Sequence, residues 1–264
     1  MKTNFTITKM RFFLLAISFF GFVNFSNAQI INWTGGTDTN FYNVKNWDNT
    51  SIDFANLITV DLIIGAGSPN NPANLGFTGT ETMAKRPRTF TTNTGANITI
   101  TGTFFPNGLS TLNGTINVDA LAAQFSMRNT AYLGKGTSGM LNINAGKVLV
   151  KNALYIGNAT GGNGLVTVNS GTSLEIGNSL EIGTGVGDPI GDLRIKGGTV
   201  SVETALNIGP NGHAFISGTG KLIVTGNKEA VIKSYIKSRA VSCTVGKTLE
   251  VLFDGTKTTV RIKA

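Results

Sequence analysis

The sequence predicts an all-β fold, a right-handed parallel β-helix built from coils of about 25 residues. A short apolar segment closed by glycine returns four times, as AYLG, LYIG, LEIG and LNIG, and ends at Gly134, Gly157, Gly183 and Gly209. The successive spacings are 23, 26 and 26 residues. About three short segments fill each interval, separated by Gly, Asn, Ser and Thr. This combination is typical of a solenoid with three strands per coil.

The alternation of apolar and polar residues within each segment predicts strands with one buried and one solvated face. In residues 180–183, Leu180 and Ile182 are expected to point inward and Glu181 outward. A strand this short cannot bury its inner face alone, so each coil must cover the next. Glycine suits the corners because a residue without Cβ turns there at least cost. The pattern predicts roughly seven coils over residues 60–226.

Residues 1–28 predict a secretory signal peptide. Three basic residues precede an apolar run over residues 12–25, and the small-residue end at 26–28 predicts cleavage before Gln29. We therefore expect an exported protein, extracellular or on the outer cell surface, with the periplasm as the alternative. No transmembrane segment is expected in the mature chain.

The segment before the β-helix predicts an N-terminal cap over residues 29–59. It contains Trp33 and Trp47 in a polar setting, in the stretch INWTGGTDTNFYNVKNWDN. Two interpretations of these rings stand. They either seal the first coil or stack on sugar rings of a ligand.

Residues 227–264 predict a C-terminal cap made of a basic helix and a β-hairpin. Asn227 is the predicted N-cap of a helix over residues 228–238, and Asp254-Gly255 is the predicted hairpin turn. Four side chains of the helix form one apolar stripe: Val231, Ile232, Tyr235 and Ile236.

Three stretches carry a resemblance to a known class of proteins. The opening NWTGGTDTNFYNVKNWDN, the glycine-closed coils and the final KEAVIKSYIKSRAVSCTVGKTLEVLFDGTKTTVRIKA resemble secreted, autotransporter-like parallel β-helix proteins of Gram-negative bacteria, with their passenger-type repeats. The resemblance covers most of the mature chain. It implies a secreted or surface β-helix, and it carries over no catalytic residue.

The count of reactive residues argues against several kinds of site. With one histidine, His213, and one cysteine, Cys243, a Cys/His zinc site lacks ligands, and we expect neither a metal nor a cofactor. A Ser-His-Asp triad would have to use His213, which we expect in an exposed turn without a nucleophile motif nearby. Cys243 is expected to be a small buried residue of a strand.

Two charged segments are candidate sites. Asp188, Asp192, Arg194 and Lys196 lie close together in GVGDPIGDLRIKGG and could serve a polysaccharide lyase as acids and bases; an ordinary solvated strand is the alternative. The second segment, residues 221–264, holds nine basic and three acidic groups. Five of the basic residues are the predicted ligand contacts: Lys233, Lys237, Arg239, Lys257 and Arg261.

The basic end predicts attraction to an anionic partner, such as an anionic polysaccharide, lipopolysaccharide or another envelope protein. A charged cap that discourages end-to-end stacking is the competing interpretation. Nucleic acid is not expected, because no aromatic residues are interleaved with the basic ones. The sequence thus predicts a non-catalytic structural or adhesive module of the cell surface, with a carbohydrate-active, lyase-like enzyme as the alternative.

Overall fold

The computed structural model describes residues 28–65, 72 and 85–263. The predicted signal peptide lies outside these residues, apart from residue 28. One α-helix, α1 (Glu229–Lys237), and one 3-10 turn, Val44–Asn46, accompany the strands of the described chain. In chain order the strands are β1 (Gln29–Trp33), β2 (Val60–Ile64), β3 (Thr89–Thr92), β4 (Asn97–Ile100), β5 (Thr103–Phe104), β6 (Ser110–Leu112), β7 (Thr115–Val118), β8 (Gln124–Met127), β9 (Ala131–Lys135), β10 (Ser138–Ile143), β11 (Lys147–Val150), β12 (Leu154–Asn158), β13 (Asn163–Asn169), β14 (Ser173–Ile176), β15 (Ser179–Ile182), β16 (Ile190–Lys196), β17 (Thr199–Val202), β18 (Ala205–Ile208), β19 (Gly212–Ser217), β20 (Lys221–Thr225), β21 (Val241–Cys243), β22 (Leu249–Phe253) and β23 (Lys257–Ile262).

These strands form three long sheets, and from β3 to β20 each coil contributes one strand to each sheet. Sheet A has the order β1-β2-β3-β6-β9-β12-β15-β18. Sheet B has the order β21-β19-β16-β13-β10-β7-β4, and sheet C the order β22-β23-β20-β17-β14-β11-β8-β5. The pairing between coils is parallel, and the structure is a β-solenoid of about seven turns. The predicted fold class is confirmed.

In the four repeats that end at Gly134, Gly157, Gly183 and Gly209, the glycine marks the corner between sheets A and B. At Gly157, φ is +69°, and a Cβ would collide with the carbonyl oxygen of Ile190 on the next coil. This position requires a left-handed backbone and leaves no room for a Cβ beside the next coil. Glycine meets both requirements with little conformational strain.

The core is the space enclosed by the three sheets. In β15, Leu180 and Ile182 are fully buried, whereas Glu181 faces solvent in part, as the alternation predicts. Near the N-terminal end the core contains phenylalanines, and the rings of Phe104 and Phe125 stack with centroids 6.0 Å apart. Burial of this apolar surface is the main driving force for stacking the coils.

The N-terminal segment joins the solenoid directly, because β1 pairs in parallel with β2. The loop between them is organised by Asn46, whose side chain is fully buried. Its Nδ2 donates to Asp38 Oδ1 at 2.7 Å and to the Asn40 carbonyl at 2.9 Å, and its Oδ1 accepts from the Thr37 amide at 2.9 Å. The hydrogen bonds from the Asn43 and Asn46 side chains hold the pKa of Asp38 below its ordinary value.

The C-terminal segment contains the predicted helix and hairpin. The N-cap is Lys228 rather than Asn227, although the Asn227 side chain accepts from the Glu229 amide at 3.3 Å. Ile232 is buried, but Val231 is 46% exposed, so the predicted apolar stripe is narrower than expected. The hairpin β22–β23 extends sheet C in the antiparallel direction, through pairing of β23 with β20.

Candidate functional site

A basic groove lies at the C-terminal end of sheet C. It has a volume of about 640 Å³ and is lined by the turn before β20, the loop after β21 and the end of β23. Four of its lining residues are basic: Lys221, Lys247, Arg261 and Lys263. We call this the basic groove below.

Strand pairing explains how two of these charges meet. Lys221 begins β20 and lies directly opposite Arg261 on β23, and both side chains face outward. Like charges at opposed positions repel each other. Glu250 on β22, directly opposite Arg261 on its other side, accepts a hydrogen bond from the Arg261 Nε and offsets its charge.

The three lysines of the basic groove keep their positive charge uncompensated. Lys221, Lys247 and Lys263 are exposed, and within the described part of the chain none has a carboxylate at ion-pair distance. The Lys263 amide donates to the Thr248 carbonyl at 2.9 Å, which fixes the end of the chain against the loop that carries Lys247. The arrangement places three ammonium groups around one groove and makes its electrostatic potential positive.

Of the five basic residues predicted as ligand contacts, only Arg261 lines the basic groove. Lys233 is paired with Glu229 at 3.0 Å on the same helix. Lys257 begins β23, about 13 Å along the strand from Arg261, and Lys237 ends α1. Arg239 lines a different cavity, described below. The sequence did not identify Lys221 or Lys247 as groove residues. These two side chains come together only because the chain returns to the last coil after α1.

The structure places Trp33 and Trp47 in the core, with 3% and 2% of their surfaces exposed. Their rings form an edge-to-face pair with centroids 5.2 Å apart, and Phe41 packs against both. The Trp47 Nε1 donates to the Phe41 carbonyl at 2.9 Å. Neither ring has a face open to a sugar, so stacking on a ligand has no support here.

The candidate lyase residues lie on and before β16. Asp192, Arg194 and Lys196 are on its outward face, and Arg194 Nε donates to Asp192 Oδ2 at 2.8 Å. Asp188 lies in the preceding loop with a left-handed backbone (φ +54°), and its carbonyl accepts from the Asn211 side chain at 3.2 Å. The Asp192 carboxylate thus accepts from Arg194 and offsets the charge of this guanidinium.

His213 lies on β19, not in an exposed turn as the sequence suggested, because residues 212–217 pair with β16 and continue sheet B. Its Nδ1 is 3.5 Å from Asp192 Oδ1, and its Nε2 is 2.8 Å from the hydroxyl of Ser242 on β21. Sequence reasoning missed Ser242. In the sequence, one feature indicates that the Ser242 side chain points outward: it lies between Val241 and Cys243 in the short apolar segment AVSCTVG.

A stacked tyrosine pair occupies the outer face of sheet A. The rings of Tyr132 and Tyr155 lie 4.9 Å apart, and the Lys135 ammonium lies 4.6 Å from the Tyr132 centroid. Partial burial, then the nearby Glu181 charge and Tyr132, raises the pKa of Tyr155 above its ordinary value. Stacking covers one face of each ring and joins the neighbouring coils that carry the two residues.

Among the residues that the structure describes, no helix has the length and apolar character required to span a membrane. The described residues also contain no group of three or more His, Cys, Asp or Glu side chains that could hold a metal ion.

Comparison with known protein families, with curated proteins and with solved structures gave no match. The resemblance to autotransporter-like proteins of Gram-negative bacteria therefore remains a prediction, and the coarser assignment stands: the chain is a parallel β-solenoid of about seven turns.

Proposed function

We propose that this protein is an exported structural or adhesive module of the cell surface that binds anionic polysaccharide through the basic groove. The observation that carries the proposal is the convergence of Lys221, Lys247, Lys263 and Arg261 around one groove of about 640 Å³. Ammonium and guanidinium groups are suited to carboxylate or sulfate groups spaced along a polymer.

Export is supported by the predicted cleavage site. Removal of residues 1–28 would leave every described strand intact, because β1 begins at Gln29. The rigid, stacked coils suit a surface module, since the ligand-binding end is held at a fixed distance from the opposite end.

The test compares binding to polygalacturonate, dextran sulfate and neutral dextran at low and high salt. We expect binding to both anionic polymers, weakened by salt because the charges are exposed, and none to neutral dextran. In the variant Lys221→Gln/Lys247→Gln/Lys263→Gln, we expect affinity to fall about tenfold or more, a change of about 1.4 kcal/mol.

The matched control is Lys45→Gln/Lys147→Gln/Lys151→Gln, which removes the same number of charges from exposed positions elsewhere on the rod. We expect it to change affinity by less than about twofold. Equal losses in the two variants would show that net charge, rather than the groove, attracts the polymer. Shortening of the polysaccharide during the incubation would favour the lyase-like alternative instead.

A further inference from the structure

An acid, a base and a hydroxyl lie in a row across three neighbouring strands of sheet B. Asp192 on β16 lies directly opposite His213 on β19, and Ser242 on β21 lies diagonally beyond it. Asp192 Oδ1 is 3.5 Å from His213 Nδ1, and His213 Nε2 is 2.8 Å from Ser242 Oγ. All three side chains belong to the outward face of the sheet, and Ser242 is partly exposed.

The three groups act in sequence in one tautomer of His213. In that tautomer Nδ1 carries the proton and faces the Asp192 carboxylate, which accepts hydrogen bonds. The neutral ring then presents its Nε2 lone pair to the Ser242 hydroxyl, which donates. This is the relation of an orienting acid, a general base and a nucleophile.

Asp192 is held in place for this role. Its Oδ2 accepts from Arg194 Nε at 2.8 Å, which fixes the orientation of the carboxylate. Its Oδ1 is buried, faces the imidazole and has no hydrogen-bond partner in the described structure. A separation of 3.5 Å is long for a hydrogen bond, but such contacts shorten when the imidazole becomes positively charged during a reaction.

A cavity of about 590 Å³ adjoins the imidazole, and Ser242 lies outside its lining, beyond His213. Its lining includes Asn211, His213, Tyr235 and Arg239. Arg239 has φ +66°, a left-handed conformation that favours glycine, yet the chain places a long cationic side chain there. Outside the cavity, the Phe215 ring centroid lies 6.5 Å from that of His213.

We propose that Ser242 is a nucleophile, activated by His213 and Asp192, that cleaves carboxylic esters. The Ser242 Oγ bonds to the ester carbonyl carbon while its proton moves to His213 Nε2. The carbon–oxygen bond to the leaving alcohol then breaks, and the imidazolium returns the proton to that oxygen. Water then gives a proton to His213 Nε2 and bonds to the acyl carbon. The acyl–Oγ bond breaks, the imidazolium returns the proton to Ser242 Oγ, and the carboxylic acid leaves.

A fluorophosphonate probe tests the nucleophile without knowledge of the natural ester. Attack forms an Oγ–phosphorus bond and releases fluoride, and peptide mass spectrometry locates the adduct. We expect the adduct on Ser242, and hydrolysis of p-nitrophenyl acetate that disappears in Ser242→Ala. His213→Gln should slow labelling about 100-fold or more, and Asp192→Asn at least about tenfold.

Ser217 provides the matched control, since it is a half-buried outward serine on the same strand as His213. We expect Ser217→Ala to label at the unaltered rate, and circular dichroism of each variant shows whether the coils are retained. Absence of label on Ser242 in the unaltered protein, or equal labelling in folded His213→Gln, would overturn the proposal.

This activity goes beyond the adhesive role, and the two can fail separately. Ser242→Ala should leave polysaccharide binding unchanged, and the triple lysine variant of the basic groove should leave the labelling of Ser242 unchanged.

Discussion

Gly157 and Gly171 share a left-handed backbone but differ in what surrounds them. Their φ values are +69° and +76°. A Cβ on Gly157 would collide with the carbonyl oxygen of Ile190 on the next coil, whereas a Cβ on Gly171 would meet nothing within 4 Å. Substituting each glycine by alanine therefore distinguishes two contributions to stability. One is the strain of a left-handed residue with a Cβ, and the other is the steric clash between two coils.

We expect Gly171→Ala to lower the free energy of unfolding by about 1–2 kcal/mol, the cost of a left-handed residue with a Cβ. Gly157→Ala should cost more than this by several kcal/mol, because rigid backbone atoms must move. Urea unfolding followed by circular dichroism measures both variants. Equal losses would mean that the corner relaxes freely and that the close approach contributes nothing.

At the scale of elements, one buried hydroxyl joins the hairpin to the helix. Thr258 on β23 is fully buried. Its Oγ1 donates to the Gly226 carbonyl at 2.7 Å and accepts from the amide of Lys228, the N-cap residue of α1, at 2.8 Å. This single side chain thus satisfies a backbone donor at the start of the helix and a carbonyl at the end of the last coil.

We expect Thr258→Val, which keeps the shape but removes the hydroxyl, to cost about 1–3 kcal/mol, because both backbone groups lose their partner. Thr259→Val is the control, since the neighbouring side chain points outward and is half-buried. Hydrogen exchange of residues 228–237 reports on the helix. Unchanged exchange in Thr258→Val would show that apolar contacts alone hold α1.

The repeat in the sequence predicts most of the strands. It does not predict which residues of neighbouring coils lie opposite each other. Outward residues in contact along sheet B are Met140, Leu165, Asp192 and His213, at successive spacings of 25, 27 and 21 residues. Turn lengths change from coil to coil, so counting residues cannot place His213 opposite Asp192. Helix α1 then interrupts the period, which hides Ser242 on β21 and brings Lys247 beside Lys221.

At the scale of the whole molecule, the solenoid must end without exposing its core or its strand edges. Ile232 on α1, Val241 on β21 and Val260 on β23 are each 1% exposed or less. These side chains belong to the same core cluster as the last coil. Apolar cover therefore closes this end of the rod, independently of the cap's positive charge.

Removing the cap tests whether its apolar side chains, rather than its positive charge, close this end of the rod. A chain that stops after Gly226 would leave β19 and β20 as outer strands of sheets B and C, with unpaired backbone groups. We expect it to form concentration-dependent end-to-end assemblies, because exposed strand edges and apolar surface favour pairing between copies. Analytical ultracentrifugation over a range of concentrations, in comparison with the full chain, measures this association.

A second variant tests whether lost apolar cover or lost positive charge causes the association. Lys237→Gln/Lys257→Gln keeps the apolar cover and removes two exposed charges of the cap. Its association should match that of the full chain at every concentration, since the core of the last coil stays covered. Assembly of this variant to the same extent as the truncated chain would mean that repulsion between basic ends, rather than burial, keeps the rods apart. Because salt screens such repulsion, that mechanism would also make the full chain associate at high ionic strength.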